Sequence, residues 1–293
     1  MTQHLKINLG RATRKTFSCG EMYVRFDESF REQHVFLVQT GRTGYMNEDM
    51  IELLLMIQAA KLNFAREISV VMPYFPYARQ DKMHGPREGI SARLFADMII
   101  SAGATSFITM HLHADQIQGF FNCPVDNLHP RRMFIEYFAK KELTNPVIVS
   151  PDVGSAKSAK KIADNLGMPL VIIHKNRPAH NMSEVIHVMG EIEGKTPIIV
   201  DDMVDTAGSV LGATKALRQN GAREEMYLCA THAVFSGNAR ENLNQVGFQE
   251  IVTTDTLPIP DPPRNLKILS VAPLFANVAQ YIAEHKSVSP LYL

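Results

Sequence analysis

The sequence predicts an α/β fold in which mostly parallel sheets are flanked by helices. Short, almost continuously apolar runs alternate along the chain with segments whose apolar residues recur every three or four positions. Runs of the first kind fit parallel strands that are covered on both faces, and segments of the second kind fit amphipathic helices. Regular alternation of the two is typical of α/β proteins, in which helices connect neighbouring parallel strands.

The strand and helix segments can be placed in order along the chain. The predicted strands are 34–40, 67–74, 105–112, 146–151, 169–175, 197–202, 225–232 and 266–271. The predicted helices between them are 47–63, 90–103, 155–167 and 209–221. Gly103, Gly167 and Gly221 stand at the ends of three of these helices, where glycine commonly terminates a helix.

The length of the chain is compatible with one large domain or two compact ones. A chain of 293 residues is near the size at which a single core divides. A joining segment near 128–146 separates two α/β halves, so we expect one domain over 1–130 and a second over 131–293. The sequence leaves open whether the last residues pack back on the N-terminal domain.

Composition excludes several classes of protein. Thirty basic residues balance thirty acidic ones, so nothing indicates a nucleic-acid partner. An apolar fraction of 45% argues against disorder, and the sequence contains neither a signal peptide nor an apolar run long enough to span a membrane. Three cysteines without metal-ligand spacing are interpreted as free thiols, which predicts a cytoplasmic protein.

Polar side chains gather where the predicted strands end. These residues are Arg79, Gln80, Asp81, His111, His113, Asp152, Lys175, Arg177, Asp201, Asp202 and Asp205. Ligands of open parallel sheets bind beyond the carboxyl ends of the strands, so five such clusters indicate a ligand site. A single cluster would be explained equally well as an ordinary solvated loop.

The last cluster leads into the turn DTAGS, residues 205–209, and then into a helix. A turn of small residues at a helix N-terminus exposes unpaired backbone N–H groups, which bind an anion such as a terminal phosphate. Gly208 lets the backbone approach such a ligand closely. Asp201 and Asp202 could accept hydrogen bonds from sugar hydroxyls, directly or through a divalent metal. The pattern describes a sugar-phosphate site, although DTAGS alone could be an ordinary serine cap preceded by solvated acids.

The stretch IIVDDMVDTAGS resembles the phosphoribosyl-diphosphate binding motif that type I phosphoribosyltransferases share with the ribose-phosphate diphosphokinases. Four other segments resemble the second family: MPYFPYARQDK, HLHADQIQGFFNCPVDNL, VSPDVGSAK and IIHKNRP. The resemblance runs from about Arg11 to the final SVSPLYL. The chain is therefore identified as a member of the ribose-phosphate diphosphokinases, and a phosphoribosyltransferase is the less favoured alternative.

The resemblance implies two phosphoribosyltransferase-like domains that transfer the diphosphoryl group of ATP to the 1-hydroxyl of ribose 5-phosphate. It assigns ATP to Phe17, Cys19, Gly20, Glu21, Arg79, Gln80, Asp81 and His113. It assigns ribose 5-phosphate to Arg177, Asp201, Asp202, Asp205, Thr206, Ala207, Gly208 and Ser209. It assigns the diphosphate loop to Asp152, Val153, Gly154 and Ser155.

The resemblance also implies a metal, a catalytic pair and an assembly. It assigns Mg²⁺ to His113 and Asp152, and it assigns catalysis to Lys175 and Arg177 in a flexible loop. Diphosphoryl transfer needs alignment and stabilisation of charge, which two cations on a closing loop supply. Because segment 17–21 reaches the nucleotide of a neighbouring subunit in this family, we expect a dimer-based homo-oligomer, by family a hexamer.

Three residues depart from the family pattern. Cys19 stands where the family usually has Asp or Asn, His111 replaces an aspartate, and Ser155 replaces a glycine of the diphosphate loop. Segment 82–91 also lacks the pattern of the family's regulatory loop. These departures keep a second hypothesis open, in which the chain is a catalytically weak regulatory relative that assembles with active subunits.

Overall fold

The fold is that of a computed structural model, which describes residues 1–176 and 185–291, with the side chains of 175–176 and 185–186 left aside. The chain divides into two compact units. Unit 1 comprises Met1–His129 and Val271–Leu293, and unit 2 comprises Pro130–Ser270. The residues from Val271 onward group with unit 1, a question that the sequence analysis left open for the last residues of the chain.

The secondary structure alternates between strands and helices, as predicted. In the described ranges the strands are β1 (Ala12–Thr16), β2 (Met22–Phe26), β3 (His34–Val38), β4 (Glu67–Met72), β5 (Ser106–Met110), β6 (Val125–Leu128), β7 (Pro146–Ser150), β8 (Leu170–Asn176), β9 (Val185–Met189), β10 (Thr196–Val204), β11 (Tyr227–Ala233), β12 (Glu250–Thr254) and β13 (Leu266–Leu269). The α-helices there are α1 (Thr2–Leu5), α2 (Met46–Leu62), α3 (Ser91–Ala102), α4 (Arg131–Phe138), α5 (Ala156–Leu166), α6 (Gly208–Gln219), α7 (Ala239–Val246) and α8 (Ala272–Ala283). Short 3₁₀ helices cover Asp115–Phe120 and Ser289–Leu291.

Unit 1 is built on a four-stranded parallel sheet with the order β3-β4-β5-β6. Its core lies between this sheet and α2 and α3, and Leu53, Ile57, Val70, Ile99 and Phe107 are fully buried in it. The antiparallel hairpin β1–β2 forms a separate two-stranded sheet whose second strand contacts α2. The helix α8 contacts α1, so the C-terminal segment completes this unit.

Unit 2 is built on a seven-stranded sheet with the order β13-β12-β11-β10-β7-β8-β9. Neighbouring strands run parallel except β8 and β9, which are antiparallel. Buried residues cover both faces of the sheet in two clusters, as expected of parallel strands that read as continuous apolar runs. The predicted fold class, mostly parallel sheets flanked by helices, is confirmed.

The strand order of unit 2 reverses between β7 and β10. From β7 the chain passes through α5 to β8 on one side, and it later returns to β10 on the other side of β7 and continues outward through β11, β12 and β13. Such a reversal leaves a crevice at the carboxyl ends of the two central strands, because their connections depart in opposite directions. In unit 2 this crevice lies between the loops that follow β7 and β10.

An ion pair between a half-exposed arginine and a buried aspartate fixes the loop after β3 in unit 1. The Asp49 side chain is fully buried, and its Oδ1 lies 2.6 Å from Nη2 and 2.8 Å from Nε of Arg42. The backbone N–H of Arg42 donates to the other carboxylate oxygen at 2.6 Å. The carboxylate of α2 is therefore held by three donors of one residue.

Arg42→Ala is expected to lower the free energy of unfolding by about 3 kcal/mol, because it leaves the Asp49 carboxylate buried without its charged partner. Urea unfolding of the variant and of wild-type protein measures the loss. The double variant Arg42→Ala, Asp49→Leu removes both charges and should recover most of it. A change below about 0.5 kcal/mol in the single variant, the range of ordinary surface substitutions, would contradict the assignment.

Candidate phosphate-binding site

The loops after β7 and β10 lie side by side at the crevice of unit 2. The two strands pair in parallel from Thr196 opposite Pro146 to Ile199 opposite Val149, so their carboxyl ends reach the same edge of the sheet. Residues 152–155 follow β7 and residues 205–209 follow β10. The two segments that the sequence analysis assigned to diphosphate and to the 5-phosphate are thus neighbours.

The turn 205–209 ends in the N-terminus of α6. Ala207 occupies the N-cap position with φ 61° and ψ 9°, and no side chain of the described residues caps the helix. The first N–H groups of a helix have no intrahelical acceptor and carry the positive end of its dipole. Thr206, Gly208 and Ser209 are exposed, so a ligand can reach this end of the helix. The geometry is that of an anion site at a helix N-terminus.

Gly208 is not required by the packing of the protein itself. The nearest described atom to a Cβ built on Gly208 is Oγ1 of Thr206 at 3.7 Å, an ordinary van der Waals distance, and its φ lies outside the left-handed region. A Cβ at this position would fit the fold. The absence of one is therefore best explained by a ligand that approaches the backbone closely.

Three carboxylates interact at the same edge of the sheet. Burial raises the pKa of Asp201 well above its ordinary value, and the neighbouring carboxylates of Asp202 and Asp152 raise that pKa further. Oδ1 of Asp201 accepts the N–H of Asp202 at 2.9 Å, and Oδ1 of Asp202 accepts the N–H of Met203 at 2.8 Å. A group that donates hydrogen bonds or carries positive charge would relieve this concentration of negative charge.

Asp201→Asn is expected to raise the Tm of the free protein by about 2–4 °C near neutral pH. Because the pKa of Asp201 is raised in the folded state, the folded protein keeps a proton that the unfolded chain releases. Wild-type stability therefore falls as pH rises from the ordinary aspartate range toward that raised pKa, whereas asparagine does not titrate. Thermal unfolding over a pH series should show the difference growing with pH. A difference independent of pH would contradict the prediction.

The predicted diphosphate loop, residues 152–155, is held by its own side chains. Oδ1 of Asp152 accepts the backbone N–H of Ser155 at 2.8 Å and the hydroxyl of Ser155 at 3.0 Å. The Ser155 hydroxyl also lies 2.8 Å from the hydroxyl of Ser150, and α5 begins directly after Ser155. Val153 and Gly154 are exposed at the tip of the loop. Ser155, which departs from the family pattern, therefore orients the carboxylate of Asp152.

The predicted catalytic pair is described only in part. The backbone of Lys175 belongs to β8, opposite Ile186 of β9, and β8 is the neighbour of β7. Lys175 therefore lies toward the carboxyl end of a strand that borders the crevice. Its side chain, and Arg177 as a whole, lie outside the described residues.

The predicted ATP residues of the hairpin lie in unit 1. The backbone N–H of Phe17 donates to the carbonyl of Glu21 at 2.8 Å, and Gly20 takes a positive φ of 94°, so residues 17–21 form the tight turn between β1 and β2. The Phe17 ring is half exposed and contacts Tyr23 edge-on at 6.2 Å between centroids. Cys19 is an exposed free thiol. The ring of Phe17 and the thiol of Cys19 are therefore accessible to solvent.

The other predicted ATP residues follow β4 and β5, also in unit 1. Arg79 is exposed, and Gln80 accepts a hydrogen bond from the Ser91 hydroxyl at the start of α3 at 2.5 Å. Asp81 is partly buried and His113 is exposed. The predicted metal residues His113 and Asp152 belong to different units, so their pairing stays a prediction.

Three further findings concern metal ligands, a pair of histidines and membrane spans. The described residues contain no group of three or more histidine, cysteine or acidic side chains that could hold a metal by themselves. His111 adopts a positive φ of 47° and its ring lies 5.2 Å from that of His129, a pairing that the sequence analysis did not foresee. Within residues 1–176 and 185–291, no helix has the length and apolar character to cross a membrane.

Two residues that the sequence analysis missed contact the turn 205–209. The Ser236 hydroxyl donates to the carboxylate of Asp205, and the Asn242 side-chain amide donates to the carbonyl of Thr206 at 2.9 Å. Both residues follow β11, the neighbour of β10 on the other side from β7. The rule that polar residues matter at strand ends could have found Ser236, since it comes shortly after a predicted strand.

Comparison with known proteins gives consistent matches over the chain. Residues 1–103 match the N-terminal domain of ribose phosphate pyrophosphokinase, and residues 178–293 match the phosphoribosyl synthetase-associated domain. A ribose-phosphate pyrophosphokinase of Wolinella succinogenes is 44% identical over 293 residues, which is 100% of this chain and 94% of that protein. One from Oceanobacillus iheyensis is 45% identical and covers 99% of this chain and 91% of its own length. The crystal structure of phosphoribosylpyrophosphate synthetase from Mycobacterium smegmatis superposes with a TM-score of 0.90 at 40% identity, covering 97% of this chain and 94% of that one.

Proposed function

This chain belongs to the ribose-phosphate pyrophosphokinase family, and we propose that its two units transfer the diphosphoryl group of ATP to the 1-hydroxyl of ribose 5-phosphate. The family predicted from the sequence, under its other name ribose-phosphate diphosphokinase, is confirmed. The roles that we propose for individual residues rest mainly on one observation, the crevice of unit 2. It brings together two loops that each precede a helix N-terminus, which is the arrangement needed for a substrate with a phosphate at one end and a diphosphoryl acceptor at the other.

The turn 205–209 would hold the 5-phosphate of the pentose. Its backbone N–H groups and the hydroxyls of Thr206 and Ser209 are the donors, and Gly208 leaves room for the phosphate oxygens. Asp201 and Asp202 would accept hydrogen bonds from the ribose hydroxyls. These hydrogen bonds favour the charged carboxylates, and binding would therefore lower the pKa of Asp201 from its raised value.

The loop 152–155 would receive the transferred diphosphoryl group. Enzymes of this family use a divalent metal, and we propose that the metal is Mg²⁺. The chemistry of the donor fits, because Mg²⁺ prefers oxygen ligands, needs few of them from the protein, and completes its shell with water and substrate phosphates, so the carboxylate of Asp152 is a suitable ligand. Asp152 would hold the metal, directly or through its waters. When bound, the metal neutralises charge on the polyphosphate, while the chain's own N–H groups orient the diphosphoryl oxygens.

Lys175 and Arg177 would supply positive charge to the phosphoryl oxygens during transfer. The position of β8 beside β7 supports Lys175 in this role, because it places the end of its strand at the same edge of the sheet as the two phosphate loops. Diphosphoryl transfer depends on positioning and charge stabilisation, so two cations suffice without a covalent intermediate on the protein.

The nucleotide would bind to residues of unit 1. The half-exposed ring of Phe17 offers a face for the adenine, and Arg79 presents a fork of donors to phosphate or to the edge of the base. We place the turn 17–21 in the site of a second copy of the chain, so the active enzyme is a dimer-based homo-oligomer, by family a hexamer. The free thiols of Cys19, Cys123 and Cys229 support a cytoplasmic location.

Release of AMP tests the proposed function. The purified protein is incubated with ATP and Mg²⁺, with and without ribose 5-phosphate, and the nucleotide products are separated. AMP that forms only with ribose 5-phosphate is the expected result. ADP as the nucleotide product would overturn the proposal. Ribose 5-phosphate that binds without any AMP release would instead favour the regulatory relative.

A further inference from the structure

We infer that Ser236 and Asn242 are positioning residues for the turn 205–209 and thereby set the affinity of the enzyme for the 5-phosphate of its pentose substrate. This inference rests on the proposed function, because it assumes that the turn holds that phosphate. Ser236 lies in the loop after β11, and Asn242 lies in α7. Neither residue belongs to the turn itself.

Asn242 fixes the orientation of one peptide group in the turn. Its side-chain Nδ2 donates to the carbonyl of Thr206 at 2.9 Å. The carbonyl and the following N–H of a trans peptide point in opposite directions, so holding the Thr206 carbonyl also fixes the direction of the Ala207 N–H. That N–H then points away from α7. Asn242 thus orients a backbone N–H that donates a hydrogen bond to the phosphate, without contacting the phosphate itself.

The same peptide group has a conformation that needs support. Ala207 adopts φ 61° and ψ 9°, the left-handed region that residues other than glycine enter at a cost. Such a conformation persists where surrounding contacts determine it, and it is common at ligand-binding turns. The hydrogen bond from Asn242 enters the peptide immediately before this residue. Loss of that bond removes one of the contacts that determine the left-handed conformation.

Ser236 fixes the first residue of the turn at two points. Its hydroxyl donates to Oδ1 of Asp205, and its backbone N–H donates to the carbonyl of Asp205 at 3.1 Å. The preceding residue continues the pairing of the two segments, since the N–H of Phe235 donates to the carbonyl of Val204 at 3.0 Å. A carboxylate beside a phosphate site repels the phosphate if it is free to turn toward it. The Ser236 hydroxyl holds this carboxylate on the side of the β11 loop.

Other contacts also hold the helix α7 in place. The effect of Asn242 on the turn can therefore be separated from its effect on the stability of the helix. Oδ1 of Asn244 accepts the backbone N–H of Arg264 at 2.8 Å, and Arg240 forms an ion pair with Asp261 at 3.0 Å. These contacts join α7 to residues 261–264, which lie outside the turn. The bond from Asn242 is directed at the turn, so its removal should alter the turn more than the helix.

Binding and kinetics of single variants test the inference. For Ser236→Ala and for Asn242→Leu in the full-length protein, we expect the Kd and the KM for ribose 5-phosphate to rise about tenfold, because small displacements of a binding group weaken binding by this order. The KM for ATP should stay within about twofold, since the substitutions affect the pentose site. Ser236→Thr keeps the hydroxyl and should restore wild-type affinity.

Asn244→Leu is the matched control, with the same substitution on the same helix at a residue whose bond goes to Arg264. It should lower the Tm while leaving the affinity for ribose 5-phosphate unchanged. If Asn242→Leu and Ser236→Ala bind ribose 5-phosphate as wild-type protein does, the inference is wrong. An equal rise in both KM values together with a lower Tm would also overturn it. Wild-type protein that binds no ribose 5-phosphate would overturn the proposed function as well.

Discussion

Lys175→Ala is expected to lower kcat by about 10²–10³-fold while leaving the binding of both substrates largely intact. A cation that contacts the phosphoryl oxygens as charge shifts contributes to the transition state more than to the ground state, so its loss appears in kcat. Steady-state kinetics with both substrates saturating measures the effect. Lys175→Arg keeps a positive charge near the end of β8, the strand next to β7, so we expect it to keep a measurable part of the activity.

A control distinguishes this role from a general effect of charge. Lys161 is an exposed lysine of α5 in the same unit. Lys161→Ala removes the same charge from unit 2 but leaves the carboxyl end of β8 unchanged, so kcat should remain within about twofold of wild type. A Lys175→Ala variant with nearly normal kcat would show that the catalytic role is misassigned.

Gly208→Val is expected to weaken ribose 5-phosphate binding by about 100-fold or more without destabilising the protein. The fold leaves room for a Cβ at this position, 3.7 Å from the Thr206 hydroxyl, but the added methyl groups would occupy the space through which a phosphate approaches the N–H groups. Gly208→Ala should give a smaller loss of affinity. Calorimetric titration measures the affinity for ribose 5-phosphate, and thermal unfolding measures the stability of the variant separately. Unchanged affinity in the valine variant would place the phosphate elsewhere.

Most regular elements could be predicted because each one is either a short run of apolar residues or a segment whose apolar residues recur every three or four positions. The predicted strand 197–202 and the predicted helix 209–221 correspond to β10 and α6, with their ends shifted by one or two residues. The hairpin β1–β2 was not predicted, because its first strand is almost wholly exposed and therefore has no apolar pattern. The short strand β6 was not predicted either, because an aspartate and an asparagine interrupt its apolar pattern.

The grouping of the C-terminal segment could not be read from the sequence. The helix α8 is apolar enough to pack on either unit, and the choice depends on tertiary contacts. One such contact is the hydrogen bond of 2.8 Å between the side chains of His4 and Asn277, which joins residues at opposite ends of the chain. No local pattern reports a pairing of this kind.

The loops of the candidate site could be predicted from the sequence, but the side chains that hold these loops in place could not. The sequence indicates that residues 152–155 and 205–209 follow strands, and the resemblance assigns their ligands. Only the strand order shows that the two loops are neighbours. The contacts of Ser236 and Asn242 join residues 31 and 36 positions apart, beyond the reach of a local pattern. The effect of Ser155 was also hidden, since its bonds to Asp152 depend on the conformation of the loop.

The division of the chain has a consequence for its synthesis. Because residues 130–270 form one unit while the segments on both sides belong to the other, the ribosome must complete all of unit 2 before it produces the last helix that unit 1 needs. Unit 2 can therefore reach its native state while the nascent chain is still attached, as domains generally fold as units during translation. Unit 1 gains the contact between α1 and α8 only after the last segment has been made, so it is the later of the two units to be completed.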